Sequence, residues 1–108
     1  MINRLLATAG VSVDAIDYFL CHQPNRFMLQ KLADKLKIPH SKVPMNVVER
    51  FGNSGGASIP TAIACNLAER VKTGSILACL AGFGGGLTWA SMLLPIGHLA
   101  FCDMTDFK

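Results

Sequence analysis

Residues 51–71 read FGNSGGASIPTAIACNLAERV, and the rest of the chain is arranged around this stretch. It opens on the small residues Gly52, Asn53, Ser54, Gly55 and Gly56, which let a backbone turn sharply and pack closely. A helix-like segment follows. Ala57, Ile59, Ala62, Ile63, Ala64, Cys65, Leu67, Ala68 and Val71 are spread around nearly the whole helical wheel, and a helix apolar on most faces is normally buried. The stretch therefore predicts a buried central helix, with Pro60 in its first turn and Ser58 or an earlier residue as cap. Asn53 falls at the N-terminal end of that helix, where unpaired N–H groups and the helix dipole favour negative charge. Chemistry is expected near that end.

The composition says what the helix packs in. Of the 108 residues, 51% are hydrophobic and only 16% charged, against roughly 25% charged in a typical soluble protein. A small domain leaves much of its surface wet, so a large apolar interface with another chain, or with a missing half, is expected. The net charge of +3 is mild and no basic stripe with interleaved aromatics occurs, which argues against nucleic acid as a partner. Cys21, Cys65, Cys79 and Cys102 show no C-x-x-C spacing. They read as free thiols in a reducing, cytoplasmic setting, and no metal site is expected. No signal peptide is evident, because Arg4 is not followed by a long apolar core. Residues 73–102 lack Lys, Arg, Asp and Glu, a length that could span a bilayer. The glycines at 82 and 84–86 interrupt that run, and they suit a turn between two buried strands rather than a membrane helix.

Taken in order, Ile2 to Ala9 reads as the end of a helix, with Gly10 as its C-cap. Asp17 to Cys21 reads as a buried strand ending at a turn, His22-Gln23-Pro24-Asn25. Asn25 can cap a helix from Arg26 to Leu36 with Phe27, Met28, Leu32 and Leu36 as its apolar stripe, stopped by Pro39. Val47 to Phe51 adds a helical turn before the central helix, and Ser75 to Ala81 and Leu87 to Leu94 are strands. The pattern is α/β, with a mixed sheet between helices.

Three constellations carry chemistry. His22 stands at the carboxyl end of a buried strand, where α/β sheets place ligand-facing groups, although a backbone-satisfied histidine looks the same. Cys21 beside it is no partner, because successive strand side chains point to opposite faces. Gly52-Asn53-Ser54-Gly55-Gly56 matches the G-x-S-x-G elbow of serine hydrolases, but no aspartate lies between Ser54 and His98 to complete a triad in that order. Gly82-Phe83-Gly84-Gly85-Gly86 lacks the last glycine of a dinucleotide loop and precedes a strand pattern. It offers backbone N–H groups of the kind that form an oxyanion hole.

Together, HQPN at 22–25, GNSGGASIP at 52–60 and GFGGGLTW at 82–89 resemble the C-terminal part of the β-ketoacyl-acyl-carrier-protein synthase III family, thiolase-fold condensing enzymes. The resemblance spans Ile2 to Pro95. It implies the C-terminal portion of a thiolase-like layered α/β fold over residues 1–96, incomplete on its own, and leaves 97–108 as a tail of unassigned role. It further implies an acyltransferase of fatty acid biosynthesis, part of a 3-oxoacyl synthase that condenses an acyl thioester with malonyl-acyl carrier protein by decarboxylation. His22 and Asn53 match the histidine and asparagine of the family's Cys-His-Asn triad, 31 residues apart (53 − 22). Gly85 matches the oxyanion-hole glycine, Asn25 and Phe83 match residues of the pantetheine channel, and Arg26 stands one place before the family's carrier-protein-contacting arginine, a position held here by Phe27. Pro24 replaces the family's alanine. None of the four cysteines matches the family nucleophile. The implied partners are the N-terminal half or a complementary chain, acyl carrier protein and acyl-CoA, with a homodimer when complete. No cofactor is implied beyond the phosphopantetheine that the substrates carry. A non-catalytic partner subunit or inactive fragment of the same fold is the alternative. In the five-stranded order 3-2-1-4-5 ascribed to the family's half-domain, this chain supplies the counterparts of strands 3, 4 and 5, so its strands are expected not to be contiguous without a partner.

Overall fold

The apolar runs after Gly74 pair with each other. β2 (Ser75–Gly84) and β3 (Thr88–Gly97) form an antiparallel hairpin in which Ser75 lies opposite Gly97 and Gly84 opposite Thr88. The computed structural model describes residues 2–22, 26–52, 55–84, 88–100 and 102. β1 (Tyr18–Cys21) joins the other edge of β2 in parallel, Tyr18 beside Ala78 and Cys21 beside Ala81. The sheet order is thus β1-β2-β3, and the expectation of non-contiguous strands is corrected. Asp17 pins the register: its backbone N–H donates to the Leu77 carbonyl at 2.9 Å, and its carboxylate accepts from the Leu77 N–H at 2.7 Å.

Alternation along the strands divides the core in two. Phe19, Cys21, Cys79 and Ala81 face one layer, where Ile2 and Leu6 of α1 (Ile2–Ala9) and Leu29 and Ala33 of α2 (Arg26–Leu36) cover them. Leu20, Ile76 and Ala78 face the other, against Leu67 and Val71. The result is helix, mixed sheet and helix in three layers, as the α/β pattern predicts. α1 ends at Gly10, whose φ of +70° is the left-handed closure expected of a glycine.

Two expectations about helix faces are corrected. In α2 the buried residues are Leu29 and Ala33, while Phe27 is 65% and Met28 48% exposed. The sheet sits on the Leu29 side, and only Leu32 and Leu36 of the expected stripe pack against the core. The end of α2 is set by Lys37 at φ +57°, with the Ile38 N–H bonded to the Ala33 carbonyl at 2.9 Å, before Pro39 is reached.

The central segment is two helices, α4 (Ser58–Asn66) and α5 (Ala68–Thr73), which follow α3 (Val47–Phe51) and a tight turn at Gly55–Ala57. They part at Leu67, where φ is −124°. Asn66 promotes the break, because its side-chain amide bonds the Ala62 carbonyl and the side chain of Asn46, a local alternative to continuing the helix. Ser58, Ala62, Leu67 and Val71 are buried, whereas Ile59, Ile63, Ala64 and Cys65 are half-buried. Burial is therefore one-sided, narrower than the apolar wheel predicts. Pro60 does lie in the first turn of α4. Residues 73–102 form the hairpin where they are described, and among the described residues no helix is long and apolar enough to cross a membrane.

Candidate active site

His22 follows the last residue of β1, and its N–H donates to the Ala81 carbonyl at 2.9 Å. The bond fixes the histidine backbone to β2 one residue before Gly82, near the Gly84 end of that strand. By alternation the side chain falls on the Leu20 face, the layer of α4 and α5. There its Nδ1 lies 2.8 Å from Ser58 Oγ in the first turn of α4. Ser58 Oγ donates in turn to the Gly55 carbonyl at 2.8 Å. Ser58 is 1% exposed, and a hydroxyl out of water must find partners inside the protein. The expected capping of α4 by a side chain does not occur: Ala57 occupies the cap position, and Ser58 bonds backward to Gly55.

The structure therefore brings together the end of β1, the start of α4 and the end of β2. Among the proposed site residues, Asn53, Asn25 and Gly85 lie outside the described residues, and so does the side chain of Phe83, whose backbone belongs to β2. Ser54 of the hydrolase-like pattern also lies outside them. Arg26 is placed elsewhere. Its Nη1 bonds Glu49 Oε1 at 2.7 Å, tying the first residue of α2 to α3, and both side chains are about half exposed, so the pair adds little stability. Arg26 also borders an open groove of about 410 Å³ shared with Tyr18, Gln30, His40 and Asn46. Sequence reasoning treated Ser58 only as a helix cap. Its signal was a small hydroxyl among apolar neighbours, just beyond Asn53.

The thiols are set apart from this cluster. Cys21 is buried on the opposite face, and burial, reinforced by nearby Cys79, pushes its pKa up to about 12. Burial likewise raises Cys79 to about 11. Cys65 accepts a bond from Arg50 at 3.0 Å and is half-buried, as is Cys102. Since the thiolate is the reactive form, Cys65 and Cys102 are expected to alkylate with iodoacetamide at pH 8 well before Cys21 and Cys79. Mass spectrometry of digested, time-quenched samples checks the order, and early labelling of Cys21 would contradict the packing of β1. Among the described residues no group of His, Cys, Asp and Glu could hold a metal ion.

Comparison with known proteins shows the family of the chain and its fold. The family described as 3-Oxoacyl-[acyl-carrier-protein (ACP)] synthase III C terminal matches residues 6–96. The β-ketoacyl-[acyl-carrier-protein] synthase III of Streptococcus gordonii is 42% identical over 97 residues, covering 88% of this chain and 30% of that protein. That of Streptococcus uberis is 43% identical over 101 residues, again 88% and 30%. A crystal structure of 3-oxoacyl-(acyl-carrier protein) synthase from Burkholderia xenovorans superposes with a TM-score of 0.89 at 41% identity, over 94% of this chain and 29% of that one. The chain spans about 30% of the length of the relatives it matches.

Proposed function

Because the chain belongs to the 3-oxoacyl-acyl-carrier-protein synthase III C-terminal family, we propose that it supplies the decarboxylation half of a condensing active site. The observation that carries the reading is the placement of His22, held by β2 through its backbone and by Ser58 through its ring, at the end of the sheet where β2 carries Gly82 and Gly84. The acyl-accepting cysteine of the family would come from outside this chain, from an N-terminal half or a complementary subunit.

The chemistry follows from where charge develops. The cysteine thiolate attacks an acyl thioester, such as acyl-CoA, and takes the acyl group while the donor thiol leaves. Malonyl-acyl carrier protein then binds with its thioester oxygen toward His22 and Asn53. As the carbon–carbon bond to the carboxylate breaks and carbon dioxide departs, the electron pair moves onto that oxygen as an enolate. Two fixed donors aimed at a developing oxyanion are worth several kcal/mol each where water is excluded. The enolate carbon attacks the acyl-cysteine carbonyl, the Gly85 N–H stabilises the resulting oxyanion, and the thiolate is expelled. Asn25 and Phe83 line the pantetheine arm in this reading. The exposed side of α2, where Phe27 and Met28 lie among Lys31 and Lys35, supports a docking role for α2 and Arg26 toward the carrier protein. A homodimer in the cytoplasm and the absence of any further cofactor belong to the same reading.

The test is reconstitution. Co-expressed with the N-terminal segment of the S. gordonii relative, this chain is expected to restore 3-oxoacyl product formation from acyl-CoA and malonyl-acyl carrier protein. A stable complex that binds both substrates and yields no product would count against catalysis and for an assembly role.

A further inference from the structure

We propose that Gly97 to Ala100 and Cys102, which follow the last residue matched by the family, form a strap that closes α5 onto the sheet at the end remote from His22. Two residues aim it. Gly97 lies opposite Ser75, and a Cβ placed on it would overlap the Cα and Cβ of Ser75, so the strand end passes this closely only as glycine. His98 then takes a φ of +51°, the left-handed region in which a single residue turns the chain. From that turn the backbone bonds back. His98 N–H donates to the Gly74 carbonyl at 2.9 Å, and Leu99 N–H donates to the Val71 carbonyl at 3.0 Å. Cys102 packs on the cluster of Leu20, Leu67, Val71, Ile76 and Ala78.

α5 needs such a partner. It has six residues and is parted from α4 at Leu67, well below the length at which a helix holds by itself in water. Its last carbonyls have no acceptor role left inside the helix. α1 closes locally on left-handed Gly10, but Gly74 after α5 is extended, with φ −155°, and leads straight into β2. Its N–H still reaches the Arg70 carbonyl at 3.1 Å. The next carbonyl, that of Val71, is met by Leu99, 28 positions on (99 − 71). The cap that a left-handed glycine usually supplies therefore comes from beyond β3. Val71 is fully buried against Leu20 and Ile76, so what holds α5 also holds the cover of this part of the sheet. The domain then extends past residue 96, and the start of the tail is its clasp.

Hydrogen exchange read by mass spectrometry tests the strap on the full chain and on a variant ending at Gly97. In the shortened chain the amides of residues 68–74 are expected to exchange about 10–100-fold faster, the effect of losing two backbone bonds of ordinary worth. Those of α2 and β1 are expected to be unchanged. Gly97→Val, which keeps every strap residue and diverts its path, is expected to loosen α5 in the same way. His98→Gly, which adopts the same left-handed φ, is expected to keep α5 protected. Unchanged exchange in α5 on shortening overturns the proposal, as does equal acceleration throughout the chain or an α5 as protected in Gly97→Val as in the wild type. The wild-type chain decides even if a variant folds poorly: Leu99 N–H is expected to be as protected as the amides of α5, and exchange at the rate of an open amide refutes the strap. No turnover is measured, so the result stands apart from the reconstitution test.

Discussion

Asn53→Ala, in the enzyme completed by the cysteine-bearing segment, is expected to slow malonyl decarboxylation by about 10²–10³-fold, the usual effect of removing one oxyanion donor. Transfer of the acyl group from acyl-CoA to the cysteine is expected to remain within a few-fold of the unaltered enzyme. The two half-reactions separate because the proposed role of Asn53 is to donate to the enolate oxygen, an atom that does not exist during acylation. His22→Ala is expected to lose the same decarboxylation rate and some acylation as well, since an imidazole beside the cysteine also favours its thiolate. Release of labelled carbon dioxide from malonyl thioester measures one half-reaction, and intact-mass acylation measures the other. Equal losses in both for Asn53→Ala would refute its assignment.

Alone, the chain is expected to show no condensing activity, to remain unacylated by acyl-CoA, and to self-associate. The chemical part follows from where the thiols lie. Cys21 and Cys79 are buried on the face opposite His22 with raised pKa values. Cys65 lies late in α4 beside Arg50, and Cys102 lies beyond the end of β3. None is a thiol in hydrogen-bonding contact with His22 among the bonds described. The association part follows from uncovered apolar surface. Met92 is 51% exposed and Leu94 37%, next to half-buried Leu80 on the face of the sheet that α4 and α5 only partly cover, and Phe27, Met28 and Phe51 are exposed elsewhere. Patches beyond a few hundred Å² are uncommon on monomers. Native mass spectrometry and incubation with acyl-CoA check the two parts separately; a monodisperse monomer defeats the second, and a mass increase by one acyl group defeats the first.

What could be read in the chain before folding was whatever neighbouring residues decide. Gly10 closes α1 because a left-handed residue is needed there, and the glycines around Phe83 mark the hairpin because an apolar run cannot cross them as a helix. His22 at a strand end was legible for the same reason, and the three motifs together named the family. Contacts between distant segments were not legible. Which side of α2 is buried depends on where the sheet lies, and Phe27 and Leu29 are equally apolar. That Leu67 parts α4 from α5 depends on Asn66 meeting Asn46, 20 positions earlier. The pairing of β1 with β2 has no local signature at all. Ser58 was legible as a polar residue in an apolar helix, but its value comes from His22, 36 positions away.

The parallel pairing also sets an order of events during folding. β2 and β3 lie close in sequence and can zip from their near ends, Gly84 beside Thr88, whereas Asp17 must find Leu77 across 60 positions. Loop-closure entropy makes the second search costlier by about 2 kcal/mol than closing a turn of a few residues, and contacts of such long range slow folding. The hairpin is therefore expected to form early and wait as an open edge for β1. Since His22 is carried in by β1 and meets Ser58 only when α4 has docked, it is among the last parts of the chain to reach its place, and a hairpin-bearing chain exists well before the His22–Ser58 contact does.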